Sequence, residues 1–588
     1  MELPFVKNGK TLLSGIDPVR LAERAADAVN ITGKTLYFCP SPILGYGLER
    51  FLSRLSEHSG DSDVLCVEAD LEIYKISAEH LSPLLARYKN LHLINICEIA
   101  SKGVSAFLDA GAELAAVIRA QCGEKAFRRV ETLRLTGGWQ LFPEIYESLC
   151  DTIRREIASE WSNALTLTKL GRLYIRNFFR NLSLANTFPS LAELSFGSSP
   201  VLVLGAGPSL DETLEQLTVS SEQRTQNNDK LAERNLLPSD IFHRPEARSF
   251  KIVCVDTCLG ALKDRNIVPD LVVVLESQHW NMRDFSGCRG WNVPAAVDFS
   301  ALPASSRILD GGGYVFFTPW TRLRIFERLK NAGLLPAVVP PLGSVGLTAV
   351  EIARRLTTGK IICSGLDFSF SADKYHARGT QGHRRLLNTQ TRLKRIANIA
   401  AFAQGVFSAV SKSGSSVYTN PIMKNYRDLF EREFADDERL RDIEGTGLSL
   451  GIKTITIKEA MNELGIENSF SQRRIEPSVR DAEEEKERIN SSLCPCEPQV
   501  RRLGVSNSNI PLVLNNDERS RLLELRNILA GDIAMDKNRL SILIDECDYL
   551  WAHFPDCAGG RHPGLEDISF LKRVRTEIDP MLKVMEWN

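Results

Sequence analysis

Residues 201–217, VLVLGAGPSLDETLEQL, constrain this chain more than any other stretch, because an apolar run passes through two glycines and a proline straight into a helical pattern. Four consecutive apolar residues, Val201, Leu202, Val203 and Leu204, are what a strand buried on both faces of a parallel sheet requires. Leu210, Leu214 and Leu217 then recur at helical spacing. A turn lies between the two periods. Gly205 and Gly207 allow a sharp bend and a close backbone approach, and Pro208 suits a first helical position, where its missing N–H costs little. The N–H groups around Ser209 would then face a phosphate. The pattern falls short of a dinucleotide fingerprint, since Leu210 stands where a third glycine would be, and it lacks the Lys-Ser/Thr of a P-loop. Taken alone, the turn fits either a phosphate site or a tight strand-to-helix connection.

A chain of 588 residues exceeds a single core, and its 43% hydrophobic and 25% charged content is that of ordinary globular domains. The 72 Lys plus Arg nearly cancel the 74 Asp plus Glu, so global charge gives no case for nucleic acid or an anionic membrane as partner. No apolar run is long enough for membrane insertion and the N-terminus has no leader pattern, which sets the expectation of a cytoplasmic protein. The 13 cysteines are odd in number and scattered. Cys494 and Cys496 form a lone Cys-Pro-Cys without a second pair at metal spacing, so they read as two thiols on a loop.

The first module, residues 1–125, reads as a small α/β domain. KTLYFC (residues 34–39) runs into PSPILGYG and a helical GLERFLSRL, and a second apolar run ends at Glu68, where a nucleotide-binding half-fold places an acid for a ribose hydroxyl. Gly45 and Gly47 lack a third glycine, and a plain strand-to-helix turn is the stronger reading there. Residues 126–190 read as a helical connector with Arg172, Arg176 and Arg180 interleaved with Tyr174, Phe178 and Phe179. The favoured reading has the aromatics packed and the arginines solvated or paired. Residues 191–465 read as the central domain. After the opening motif, a polar segment at 220–248 is expected to be an insertion over the sheet. KIVCVDT and PDLVVVLES then place Asp256, Thr257, Glu276 and Ser277 just past buried strands, at the edge where open parallel sheets bind ligands; helix capping is the alternative for the acids. PPLGSVGLTAVEIARRL opens a helix after Gly343 and Ser344, and a strand at 360–363 delivers Asp367, with His376 and Arg378 in the loop beyond. From about residue 391 the pattern is mainly helical, interrupted by SKSGSSVYTNP and by GIKTITIKEA; residues 472–497 read as a charged linker, and 466–588 as a C-terminal helical region ending in an apparent hairpin.

Four blocks now stand in order: GAGPSL, VDTCLGAL with PDLVVVLE, GSVGLTAVEIA, and GLDFSF followed by YHARGT. Together they resemble the motility accessory factor family, whose central domain is 6-hydroxymethylpterin diphosphokinase-like. The resemblance covers residues 190–460 and extends more weakly over the flanks. It implies a Rossmann-like, mainly parallel central sheet with a sialyltransferase-like nucleotide-sugar site. Members of the family are thought to be cytoplasmic glycosyltransferases that move pseudaminic or legionaminic acid from its CMP conjugate to Ser or Thr of flagellin. Carried over by position, Gly205, Gly207, Pro208 and Ser209 would hold the CMP phosphate and ribose, and Asp256 and Thr257 the nucleotide. Gly343 and Ser344 would line the donor pocket, with Asp367 and His376 near the reacting centre.

The implied chemistry is an inverting displacement at the anomeric carbon, in which amides at 207–209 with Arg378 stabilise the departing phosphate and His376 or Asp367 deprotonates the acceptor hydroxyl. The donor is then a substrate and no cofactor is fixed. A rival class transfers pyrophosphate from ATP to a hydroxymethylpterin; it would need Mg²⁺, with Asp256, Glu276 and Asp367 as ligands. A third class is a non-catalytic flagellin-binding chaperone.

Overall fold

A computed structural model describes residues 6–58, 61–101, 127–215, 245, 248–393, 399–466, 510–531, 537–557 and 562–586. The expected insertion at 220–248, except residues 245 and 248, lies outside the described residues, as do the charged linker at 472–497 and the Cys494 and Cys496 pair. The chain divides into two compact units. One comprises residues 1–171 with 551–570, and the other residues 172–550 with 571–588.

The first unit is built on a parallel sheet of four strands among the described residues: β1 (Thr35–Pro40), β2 (Asp63–Glu68), β3 (Leu91–Asn95) and β4 (Arg129–Thr132). Their order across the sheet is β3-β2-β1-β4. Every residue of β1 and β2 is buried, because helices α1 (Pro18–Ala28), α2 (Leu48–His58) and α3 (Leu71–Arg87) bring apolar faces to the sheet. Asp17 and Asp70 cap α1 and α3 through their carboxylates. A fourth helix, α4 (Pro143–Asn181), begins in this unit, where Tyr146, Leu149 and Ile153 pack into the core with Leu36 and Val130.

The second unit contains the larger sheet. Its strands are β5 (Val201–Leu204), β6 (Lys251–Val255), β7 (Leu271–Val274), β8 (Ala295–Asp298), β9 (Gly313–Phe317), β10 (Ala337–Val338), β11 (Ile361–Ser364), β12 (Leu440–Ile443) and β13 (Lys453–Ile455). All pair in parallel, in the order β10-β9-β8-β7-β6-β5-β11-β12-β13. The continuous apolar runs of β5, β7 and β11 are wholly buried, as a strand covered on both faces must be. Burying each Val, Leu or Ile side chain contributes about 1.5–3 kcal/mol. Helix α5 (Val345–Leu356) carries the chain from the β10 edge back to β11, and packs its buried face on the sheet core.

The stretch after residue 391, read as mainly helical, instead supplies β12, β13 and an antiparallel hairpin (Phe407–Val410 with Ser416–Thr419) besides the helix Pro421–Phe434. The two breaks in the helical pattern hold the strands Ser416–Thr419 and β13, while Arg441 and Asp442 interrupt the apolar pattern of β12 and hide it from periodicity. At the end of α4 the aromatics of the arginine stripe pack as expected, and one of its three arginines is paired. Phe178 packs edge-on against Phe179, Phe299, Phe317 and Phe326, and Arg172 pairs with Glu577. Asn177 and Asn181 donate to the carbonyls of Ser277, Ser300, Phe299 and Ala301, pinning the helix to the ends of β7 and β8. The C-terminal helices are α6 (Ile510–Ala530), α7 (Lys537–Glu546) and α8 (Ile568–Met585). No helix among the described residues is long and apolar enough to cross a membrane.

Candidate functional site

The order of the larger sheet has one consequence for ligand binding. The chain lays down β5, proceeds outward through β6 to β10, and returns through α5 to β11 on the other side of β5. Connections leave β5 and β11 in opposite directions, the arrangement at which open parallel sheets bind ligands beyond the carboxyl ends of their strands. Gly205 to Asp211 emerge from β5 there, and Gly365 to Thr380 from β11.

The two turns interlock. The Gly205 amide donates to Ser364 O at 2.8 Å, and the Gly207 amide to Gly365 O at 2.8 Å. A Cβ on Gly207 would lie 2.6 Å from Asp367 Oδ2, and one on Gly365 would lie 2.8 Å from Gly205 O, so both glycines are needed for close approach. Asp367 is buried; its Oδ2 accepts from the Ser209 amide at 2.7 Å and its Oδ1 from the Ser209 hydroxyl. The amides of Gly207 and Ser209, expected to face a phosphate, are thus taken by Gly365 and Asp367. Burial raises the Asp367 carboxyl above its ordinary range, against the Ser209 hydrogen bonds and the positive charges of Lys412 and Lys374. Lys412 forms a buried ion pair with Asp442 at 2.7 Å, on the neighbouring strand β12.

The loop after Asp367 lies on the same turn. Ala206 O accepts from the Ala377 amide at 3.0 Å and from His376 Nδ1 at 3.3 Å. A carbonyl only accepts, so His376 carries its proton on Nδ1 and leaves Nε2 as a lone-pair acceptor. Burial lowers the His376 pKa, which favours that neutral form. Arg378 donates its amide to Asp211 Oδ1 at 2.8 Å, while its guanidinium reaches toward Asp211 and Glu215. Asp211 also takes Lys374 Nζ at 2.9 Å and Arg265 at 3.5 Å. The sequence reading missed this hub. Its only signal was an acid one position beyond the GAGPSL turn.

A second group lies beyond β6 and β7. Asp256 is buried, and its Oδ1 accepts from the Thr257 amide at 2.8 Å, while its Oδ2 has no hydrogen-bond partner. Burial, and then the nearby Asp284 carboxylate, push its pKa up to about 7, against the Thr257 hydrogen bonds. Thr257 Oγ1 stands 3.3 Å from both Asp256 Oδ1 and Asp284 Oδ2. Ser277 Oγ and Asn281 Nδ2 are likewise buried without hydrogen-bond partners. Such atoms cost free energy unless a ligand or water meets them. Asn281 and Asp284 had no motif to betray them.

Glu276 is exposed and accepts from the Gln278 amide at 2.8 Å. Burial and then the Glu276 charge raise the pKa values of the Tyr174 and Tyr426 hydroxyls, so this acid faces two tyrosines. Gly343, at φ 69°, is where a Cβ would come 3.0 Å from the Tyr426 ring. Ser344 stands at the N-cap of α5 without using its side chain as a cap. The first amides of α5 therefore have no side-chain acceptor from their own cap.

The fold and these side chains define an open α/β protein with a polar ligand edge at a topological switch point. Residues 244–373 match the family described as 6-hydroxymethylpterin diphosphokinase MptE-like. An uncharacterised protein of Treponema pallidum (strain Nichols) is 28% identical over 569 residues, 96% of this chain and 90% of its own. A second from the same organism is 30% identical over 123 residues, 19% of this chain and 31% of that one. In three dimensions the chain is similar over 96% of its length, and over 82% of the other's, to the structure of MAf glycosyltransferase from Magnetospirillum magneticum AMB-1, with 16% identity and a TM-score of 0.49.

Proposed function

We propose that this chain is a glycosyltransferase that moves a nonulosonic acid, pseudaminic or legionaminic acid, from its CMP conjugate to Ser or Thr of flagellin. The observation that carries the proposal is His376: a neutral imidazole, its Nδ1 proton committed to Ala206 O, held at the switch point of the sheet. Its Nε2 takes the proton of the acceptor hydroxyl as that oxygen bonds to the anomeric carbon. The bond from that carbon to the phosphate oxygen breaks, and CMP leaves with the electron pair.

The roles of the other residues follow from their contacts. Asp367 holds Ser209 and so positions the turn that carries Ala206. The positive end of α5 at Ser344, beside Gly343, suits the leaving phosphate. Asp256, Thr257 and Asn281 offer buried polar atoms for the nucleoside. The order of the four sequence blocks supports this reading.

The MptE-like match favours one alternative, pyrophosphate transfer from ATP. The Mg²⁺ ligand set expected for it, Asp256, Glu276 and Asp367, is not gathered: among the described residues no three His, Cys, Asp or Glu side chains stand together as metal ligands, and Asp367 is committed to Ser209. Calorimetric titration of the full chain with CMP, and with ATP plus Mg²⁺, separates the two. Binding of CMP without metal, followed by a mass increase of flagellin on addition of a CMP-nonulosonic acid, is the expected result. Metal-dependent ATP binding without CMP binding would overturn it, and silence from both ligands would leave a flagellin-binding chaperone.

A further inference from the structure

The N-terminal unit has a switch point of its own. Its chain runs outward from β1 to β2 and β3, then returns to β4 on the opposite side of β1, so the crevice lies beyond Pro40 and Thr132. A cavity of about 260 Å³ is found at that edge, lined by Phe38, Pro40, Thr132, Arg134, Trp139 and Tyr146 together with side chains from the start of α4. Topology and cavity are independent observations, and they coincide.

The neighbouring turn carries strain and a buried acid. Ser41 and Ile43 adopt φ of 48° and 56°, a region that non-glycine residues occupy only when their surroundings hold them there. Glu68, the last residue of β2, is fully buried. Its Oε1 accepts from Ser77 Oγ at 2.7 Å and the Ile43 amide at 3.2 Å, and burial pushes its pKa up to about 7 against these bonds and Ser41. The glycines of the first turn have another role. A Cβ on Gly45 would lie 2.5 Å from Leu81 and one on Gly47 2.6 Å from Ala22 O, so they let α3 and α1 pack closely rather than admit a diphosphate.

The lining names the ligand. The Arg134 guanidinium lies 4.2 Å over the Trp139 ring, and its nearest carboxylate, on Glu147, is 3.9 Å away. A guanidinium seated over an indole still has N–H groups to offer an oxyanion. Glu147 and Thr132 supply acceptors for hydroxyl groups, Asp151 is paired with Arg154 at 2.9 Å in the same lining, and Phe38, Pro40 and Trp139 form an apolar wall. We infer that this cavity binds a monosaccharide-sized polyol bearing one oxyanion, a sugar phosphate or a sugar acid, with the oxyanion on Arg134. The inference concerns the N-terminal unit and does not rest on the reaction proposed above.

Ligand-observed NMR titration of the full-length chain tests it, with glucose 6-phosphate and galacturonate as probes and glucose and inorganic phosphate as comparisons. Saturable binding of at least one probe is expected, about tenfold or more tighter than glucose or inorganic phosphate. Arg134→Gln and Trp139→Leu should each weaken it about tenfold or more, and Trp139→Phe, which keeps a ring under the guanidinium, should retain it. Both substituted side chains line a cavity open to solvent, and an unchanged melting curve will show that the variants fold. Whether glucose 6-phosphate or galacturonate binds decides between phosphate and carboxylate. No binding of either probe, indifference to Arg134→Gln, or equal binding of inorganic phosphate would each overturn the inference.

Discussion

At the scale of single residues, two titrating groups carry opposite consequences. Burial lowers the His376 pKa below 6.5, so the base form prevails at neutral pH. The transfer rate should therefore stay level around pH 7 and fall only on acidification below pH 6.5, and His376→Gln should cost about 10²–10⁴-fold in kcat, read from a pH–rate series on both proteins. Asp256 behaves in the other direction. Its folded pKa of about 7 lies above the ordinary 3.8, so the folded state keeps a proton that the unfolded chain releases, and stability falls as pH rises from about 4 to 7. Asp256→Asn removes that penalty, and should stabilise the protein by up to roughly 4 kcal/mol at pH 8 and by nothing comparable at pH 4. Denaturant melts at the two pH values check this. The same substitution should weaken CMP binding, a trade of stability against function. Asp367 was legible from sequence as a residue beyond a buried strand. Its partner was not, because Ser209 stands 158 positions away and only pairing of β5 with β11 brings them together.

At the scale of elements, the unbroken apolar strands were legible and those carrying charged or polar residues were not. Val201–Leu204 and Leu271–Val274 are unbroken apolar runs, whereas Lys453–Ile455 is three residues at the edge of the sheet. The glycine turns were legible as turns, but not the reason for each glycine. Gly45 and Gly47 answer to helix packing, and Gly207 answers to a carboxylate. Replacing Gly207 with Ala sets a methyl group 2.6 Å from Asp367 Oδ2 and 2.8 Å from Gly365 O, and the backbone neighbour cannot give way. A loss of about 2–4 kcal/mol is expected in urea unfolding, with transfer activity lost at temperatures where the variant is still folded. Asp211 had no such signature, because an acid in a first helical turn is ordinarily a local capping or dipole partner. Here it gathers Lys374, Arg265 and the Arg378 amide from beyond its own helix.

At the scale of the whole molecule, neither unit is one continuous piece of chain. Residues 551–570 belong with residues 1–171, although 379 residues of the other unit stand between them in sequence. Within that unit, a Cβ on Gly171 would lie 2.8 Å from His553 Cβ, and Trp551, Phe554 and Phe570 are buried. A fragment ending at residue 171 should therefore melt roughly 5–10 °C below the same fragment joined to 551–570 through a flexible linker, as followed by circular dichroism. Equal melting points would show that the returning segment contributes nothing to this unit.

The interlocked turns also set an order of events during synthesis. β5 and its glycine turn leave the ribosome first, but their hydrogen-bond partners at Ser364, Gly365 and Asp367 follow some 158 residues later. At translation speeds of about 5–20 residues per second, that interval is roughly 10–30 s. During it the Gly205, Gly207 and Ser209 amides have no native acceptor, and His376 has not been made. A nascent chain therefore cannot complete the site before it has nearly finished the sheet, and a transcript truncated before β11 yields a polypeptide that holds the motif without the site.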